Sequence, residues 1–265
     1  MFINNKLKNL LRGVVPMKYQ TVLKYYYNKA NSTLEQELGT LEHLVRKGDL
    51  VIDVGGNRGI YAYKLWKLGA RVEVFEPNPI CFRLLEAWAA DKPDVNVHTV
   101  AVSSHSGLAN LHIPIDESGV EHDASASIEN TGFEHSRDQS VSLQTLDSYE
   151  FEGVRFIKID VEGHEYSVIE GAASLLASSR PALLVEIEQR HNGRQINEVF
   201  EKILSFDYQG FFMMAGKLTD LKKFDISRDQ SMECFGGSKK EYINNFLFLH
   251  QERLADGEYA ALVEG

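Results

Sequence analysis

The chain has 265 residues, 43% hydrophobic and 25% charged, which is enough to bury a large core as one domain with some extra segments. A formal net charge of −10 argues against a general nucleic-acid binder, whose phosphate contacts need a clustered basic surface. Two distant cysteines, Cys81 and Cys234, propose neither a zinc site nor a disulfide framework and read as free thiols of a reducing compartment.

No stretch approaches the roughly 20 apolar residues of a membrane span, and the N-terminus lacks a leader pattern, so the sequence points to the cytoplasm. Residues 1–33 read as a basic amphipathic extension. In it Lys6, Lys8, Arg12, Lys18, Lys24 and Lys29 alternate with Phe2, Leu7, Leu10, Leu11, Val14, Val15 and Tyr25 to Tyr27. Such a segment suits peripheral contact with an anionic membrane or with a partner subunit in a homo-oligomer. The plainer reading, favoured by the break in helical period at Pro16, is a helical extension packed on the main domain.

Residues 34–250 are expected to form that domain. A helix is expected over Leu34 to Arg46, a strand over Leu50 to Val54, a helix over Gly59 to Leu68 and a strand over Arg71 to Glu76. A helix over Ile80 to Ala90 and a strand over Val95 to Val102 complete the first half of a doubly wound sheet. Short strands at Leu108 to Ile113 and Val141 to Leu143 flank a polar stretch, residues 116–140, without helical period. It reads as a lid or substrate loop, with His122, Asp123 and Ser125 among its groups able to bond a hydroxylated acceptor. Strands at Val154 to Ile159 and Ala182 to Ile187 follow, separated by a helix from Gly163 to Gly171. A helix over Ile196 to Phe206, a strand over Tyr208 to Met214, connecting loops over Lys217 to Asp229 and an antiparallel last strand over Asn245 to His250 end the domain. Residues 251–265 are an acidic tail without visible chemistry. The alternation of strands and helices makes the fold class α/β, with a doubly wound sheet.

The most informative segment is Leu50 to Gly59, L-V-I-D-V-G-G-N-R-G, where a buried strand ends in an acid and breaks into glycines. The order D-x-G-x-N-x-G is not the G-x-G-x-x-G that admits a pyrophosphate. Asp53 would repel that group but suits a ligand carrying a cationic amine or sulfonium, so S-adenosylmethionine fits better than NAD. Glu76, at the end of the next strand, is placed to take both hydroxyls of a ribose. The resemblance is to class I methyltransferases.

Three further blocks narrow it: Phe75 to Pro79 (F-E-P-N-P), Val97 to Ser103 (V-H-T-V-A-V-S) and Phe156 to Gly171 (F-I-K-I-D-V-E-G-H-E-Y-S-V-I-E-G). Together they resemble the FkbM family of methyltransferases, in the family's order from about Val51 to about Arg190. The resemblance implies a Rossmann-like form of the α/β fold, seven mostly parallel strands with an antiparallel last strand and helices on both faces. It also implies S-adenosylmethionine as donor and O-methylation of a sugar, polyketide or other secondary metabolite. For the donor it points to Asp53, Gly55, Asn57 and Gly59 around the methionine portion, Glu76 on the ribose, Pro77 and Asn78 shaping that turn, and Ala101 and Val102 against adenine.

For the chemistry, Asp160, Glu162 and His164 cluster where the fourth main strand meets its helix. His164 is the leading candidate base, and Asp160 can face donor or acceptor. Capping and backbone bonding explain Glu162 and His164 equally well at this stage. Glu186 and Glu188 point to one side of their strand and are candidate acceptor contacts. With Asp160 they also form the one carboxylate set that would suit a divalent cation, although no metal site is expected. An N-methyltransferase on the same donor site and a catalytically silent nucleoside-binding scaffold are the competing functions.

Overall fold

The computed structural model describes residues 15–263 apart from 117–118, 120, 123–124, 130–134, 192 and 232–241. Asp123, Cys234 and the N-terminal 14 residues therefore lie outside the described residues.

Continuous apolar runs form the centre of the sheet because helices cover both of its faces. Strand β1 (Leu50–Val54), buried along its whole length, pairs in parallel with β2 (Arg71–Phe75), and β2 with β3 (Val95–His98). After the short β4 (Ala101–Val102), β5 (Gly107–Pro114) and β6 (Ser136–Gln144), the chain returns through β7 (Val154–Ile159), parallel to β1, and β8 (Ala182–Glu186). Strands β9 (Tyr208–Met214), β10 (Lys217–Asp220) and β11 (Asn245–His250) complete a sheet ordered β10-β9-β11-β8-β7-β1-β2-β3. Strand β11 is antiparallel to both its neighbours, as expected.

The sheet has eight strands rather than seven, because Lys217–Asp220, expected within a loop, folds back on β9. Ala215 and Gly216 make that turn, both with positive φ (50° and 73°), and Gly216 was its only local signal. Val95 to Val102 is two strands, not one. Ala101–Val102 leaves the main sheet and joins β5 and β6 in a second, three-stranded sheet. The β5–β6 hairpin pairs as far as Pro114 and Ser136, so the polar loop contracts to residues 115–135.

Helix α1 (Met17–Ala30) begins directly after Pro16 and packs on α2 (Ile60–Lys67) and α3 (Pro79–Ala89), burying Thr21 and Tyr25. The expected helix from Leu34 to Arg46 is instead a 3-10 turn, Gln36–Gly39, and a single α-turn, Leu41–Leu44; the Thr40 hydroxyl bonds back to the Glu37 carbonyl between them (2.7 Å). On the opposite face lie α4 (Glu165–Glu170), α5 (Ala173–Ser179) and α6 (Ile196–Leu204). Each face has its own apolar core. Val51, Val72, Val74, Leu85 and Trp88 belong to one, and Ile52, Val54, Ile157, Val185 and Val199 to the other. The segment after Gln251 forms two short helices and buries Tyr259.

Candidate functional site

The carboxyl ends of β1, β2 and β7 and the strand β4 open on a cleft of roughly 580 Å³, part of it open to solvent. Open α/β sheets bind their ligands in this position. Gly55, Asn57, Glu76, Pro77, Ala101, Val102, Asp160, Glu162 and His164 all line it, so residues assigned to donor and to chemistry face one space.

The glycine loop is shaped by contact with the turn after β7. Gly55 has φ +84°, and a Cβ built on it would lie 1.8 Å from the Asp160 carbonyl oxygen, so no larger residue fits there. Glu76 organises the other wall. It is buried, and its two carboxylate oxygens accept from the backbone N–H of Asn57 (2.6 Å) and of Asn78 (2.7 Å). Asn78 in turn caps α3, its Oδ1 accepting from the Ile80 N–H at 3.0 Å, while its Nδ2 is buried without a protein partner.

Asp53 is not among the residues lining the cleft. It lies beneath the loop, 2% exposed, with one carboxylate oxygen unpartnered and Lys158 opposite it in the strand register. Burial pushes its carboxyl up to about 7, against the pull of Lys158. Lys158, inside an apolar run of β7, is fully buried. It donates to Asn245 Oδ1 (3.0 Å), which bridges to Glu35, and Glu35 also accepts from the Tyr61 hydroxyl (2.5 Å). Burial works against its ammonium, yet Asp160, Glu186, Glu35 and Asp53 outweigh it and hold the proton above the usual lysine range.

The turn after β7 departs from the expected helix start at Gly163. Glu162 and Gly163 have φ of 52° and 103°, and regular helix begins at Glu165. Burial raises the Asp160 carboxyl to about 7, with Lys158 opposing and Glu162 reinforcing the shift. His164 has both ring nitrogens engaged: Nδ1 with Glu129 Oε1 (2.7 Å) and Nε2 with Ser103 Oγ (3.0 Å). The bond to His164 holds the Glu129 carboxyl below the usual range. Ser127 donates to the Glu162 carbonyl (2.6 Å) and accepts from the Glu129 N–H (3.0 Å), so residues 127–129 are fastened onto the turn. Neither Ser103 nor Glu129 carried a local signal for this role; only tertiary folding joins them to His164.

Glu162, in the cleft lining, pairs with His191, whose pKa is raised chiefly by that bond. The remaining candidates, Glu186, Glu188, His122 and Ser125, lie outside the lining. Glu186 accepts from Asn244 (2.7 Å), and burial and Asp160 keep its carboxyl well above the usual range. For Glu188 burial is outweighed by Arg190 and by the Tyr242 hydroxyl (2.9 Å), which lower its pKa. Among the described residues no group of three or more His, Cys, Asp or Glu is placed to hold a metal ion, so Asp160, Glu186 and Glu188 are not assembled as a ligand set. His122 is exposed beside Asp116 (3.1 Å), and the Ser125 N–H bonds to the His122 carbonyl (3.1 Å).

A mostly parallel sheet with a cleft built from a glycine loop, a strand-end acid and an acid-bearing turn defines a Rossmann-like methyltransferase fold. The model of the Methyltransferase FkbM domain matches residues 53–212, more than half of the chain, and the protein belongs to that family. The solved structure of the methyltransferase FkbM from Methylobacillus flagellatus KT is similar, with 17% identity and a TM-score of 0.51. The match covers 89% of this chain and 55% of that one, so this chain spans about half of that protein's length. A TehB-like SAM-dependent methyltransferase from Corynebacterium glutamicum ATCC 13032 Kitasato matches at 11% identity and a TM-score of 0.44, over 87% of this chain and 96% of that one. An rRNA methylase from Streptococcus thermophilus matches at 11% identity and a TM-score of 0.45, over 81% and 95%. No curated protein matches the chain.

Proposed function

We propose that this chain transfers the methyl group of S-adenosylmethionine to a hydroxyl of a sugar, glycan or glycosylated metabolite. The observation that carries the reading is the single cleft shared by Gly55, Asn57 and Glu76 with Asp160, Glu162 and His164. The donor suits these residues. Glu76 presents a buried carboxylate toward the position of a ribose, Ala101 and Val102 offer an apolar wall for adenine, and Asn78 Nδ2 is a buried donor still lacking a protein acceptor.

When bound, S-adenosylmethionine supplies an activated methyl on a cationic sulfur. The chain then has to align the acceptor and take its proton. The acids around Asp160 favour a cation in the cleft over the pyrophosphate of a dinucleotide. For the proton, Asp160 is the better acceptor, since burial has already brought it to about 7. His164 is bonded at both nitrogens and acts as a positioning residue that holds residues 127–129 against the turn. The acceptor enters past Leu111, Ser127 and Ile128, which line the cleft from the second sheet and its loop. The net charge of −10 favours such an acceptor over a nucleic acid.

Calorimetry on nucleotide-free protein tests the reading, with S-adenosylmethionine, its demethylated product and NAD, with and without magnesium. Micromolar binding of the first two but not NAD is expected, followed by labelled methyl transfer in a screen of sugars. Binding of NAD, or of none of the three, overturns it.

A further inference from the structure

Charge is distributed unevenly along this acidic chain. Residues 1–30 hold six of its 28 Lys and Arg residues (Lys6, Lys8, Arg12, Lys18, Lys24 and Lys29) and none of its 38 Asp and Glu residues. Within that stretch α1 turns Thr21 and Tyr25 inward, yet it leaves large apolar side chains outside: Met17 is 52% exposed, Tyr19 50%, Leu23 52% and Tyr26 46%. Tyr19, Leu23 and Tyr26 follow helical i, i+4, i+7 spacing and so form one stripe. Lys18 and Lys29 are exposed on the same helix, and Lys67 of α2 lies over the Tyr26 ring (5.4 Å) and donates to its hydroxyl (3.2 Å).

We propose that α1 is a docking surface for an anionic lipid bilayer. Lysines attract such a surface, tyrosines occupy the level of its headgroups, and Leu23 gains by entering its apolar boundary. Charge decides against the other occupants. A second copy seated on α1 would bring two basic helices together, and residues 1–14, themselves basic, would meet like charge if folded back onto it. A nucleic acid would pair with the lysines but gain nothing from Leu23. The surface lies close to the cleft, since Thr21 of α1 touches the glycine loop within about 3 Å of a Cβ built on Gly59. Docking would therefore hold the donor loop near the lipid plane.

The test is co-sedimentation of the full chain with vesicles of phosphatidylcholine, with and without phosphatidylglycerol, at low and high salt. Binding only to the anionic vesicles, weakened by salt, is expected. Each neutralised lysine should lower the partition coefficient about fivefold, so Lys18→Gln with Lys29→Gln lowers it roughly 25-fold. Leu23→Glu should abolish binding. All three side chains are exposed, so thermal melting and donor affinity should match the parent protein and show that the variants are folded. Absence of binding, equal binding to neutral vesicles, or variants that bind like the parent overturns the proposal. So does a dimer in sedimentation velocity that Leu23→Glu converts to monomer, or tighter binding to single-stranded RNA that Leu23→Glu leaves intact.

Discussion

Glu76 offers the sharpest perturbation of the proposed donor site. Its two oxygens accept from the N–H groups of Asn57 and Asn78 at 2.6 and 2.7 Å, and Asn57 is held at a φ of 46° that a non-glycine residue rarely adopts. Glu76→Gln preserves the shape but turns one acceptor into a donor facing an N–H. One charge-assisted hydrogen bond, worth about 1.5–3 kcal/mol, is lost in a buried place. If that loss falls on the loop that holds the donor, affinity drops by roughly 10- to 150-fold, before any contact to a ribose is counted. Calorimetric titration with the demethylated product measures this without turnover, and thermal melting of the same samples separates affinity from stability. A Glu76→Gln protein that binds the product like the parent would refute both the ribose assignment and the claim that Glu76 shapes the loop. Glu76→Ala removes both bonds and should be weaker still.

Gly55→Ala should cost roughly 1–2 kcal/mol for the left-handed backbone alone. It should also abolish measurable donor binding, because its Cβ would meet the Asp160 carbonyl; parent-like binding in calorimetry would contradict the close contact. Asp53 has a folded pKa of about 7 against a usual value of 3.8, so the native state binds more protons than the unfolded one between those values. Stability from this group is present at low pH and declines as pH rises toward about 7. Asp53→Asn should flatten that decline in urea unfolding, and parallel pH profiles for the two proteins would count against it. His164→Ala should keep donor affinity and lower turnover by roughly tenfold to a hundredfold through misplacement of residues 127–129. It should also retain the alkaline-rising limb of the pH–rate profile, which Asp160→Asn should lose; loss of that limb in His164→Ala would instead make His164 the base.

What was legible in the sequence was what local chemistry writes. The strand ends at Asp53 and Glu76, the glycines between Val54 and Ile60, and the turn at Pro77 and Asn78 announce themselves within a few residues, and the α/β class follows from the alternation of strands and helices. The partners of His164 are another matter. Glu129 is 35 residues away and Ser103 is 61, and both distances are closed only by the second sheet. Lys158 is a lone cation in an apolar run, and its partners, Asn245 87 residues on and Glu35, are supplied only by the fold. The β9–β10 hairpin escaped notice because a non-glycine residue, Ala215, carries one of its two positive φ angles.

The contact between Gly55 and the Asp160 carbonyl has a bearing on how such a protein can diversify. It joins two adjacent strands, β1 and β7, at the spot where one supplies the proposed donor loop and the other the acid-bearing turn. Neither can shift without the other. A change of acceptor achieved by moving the turn would spoil the donor loop in the same step, so new specificity has to be written elsewhere: in the hairpin β5–β6 with its loop, and in the chain beyond Glu188. Those parts can lengthen, shorten or change sequence while the joined pair stays as it is.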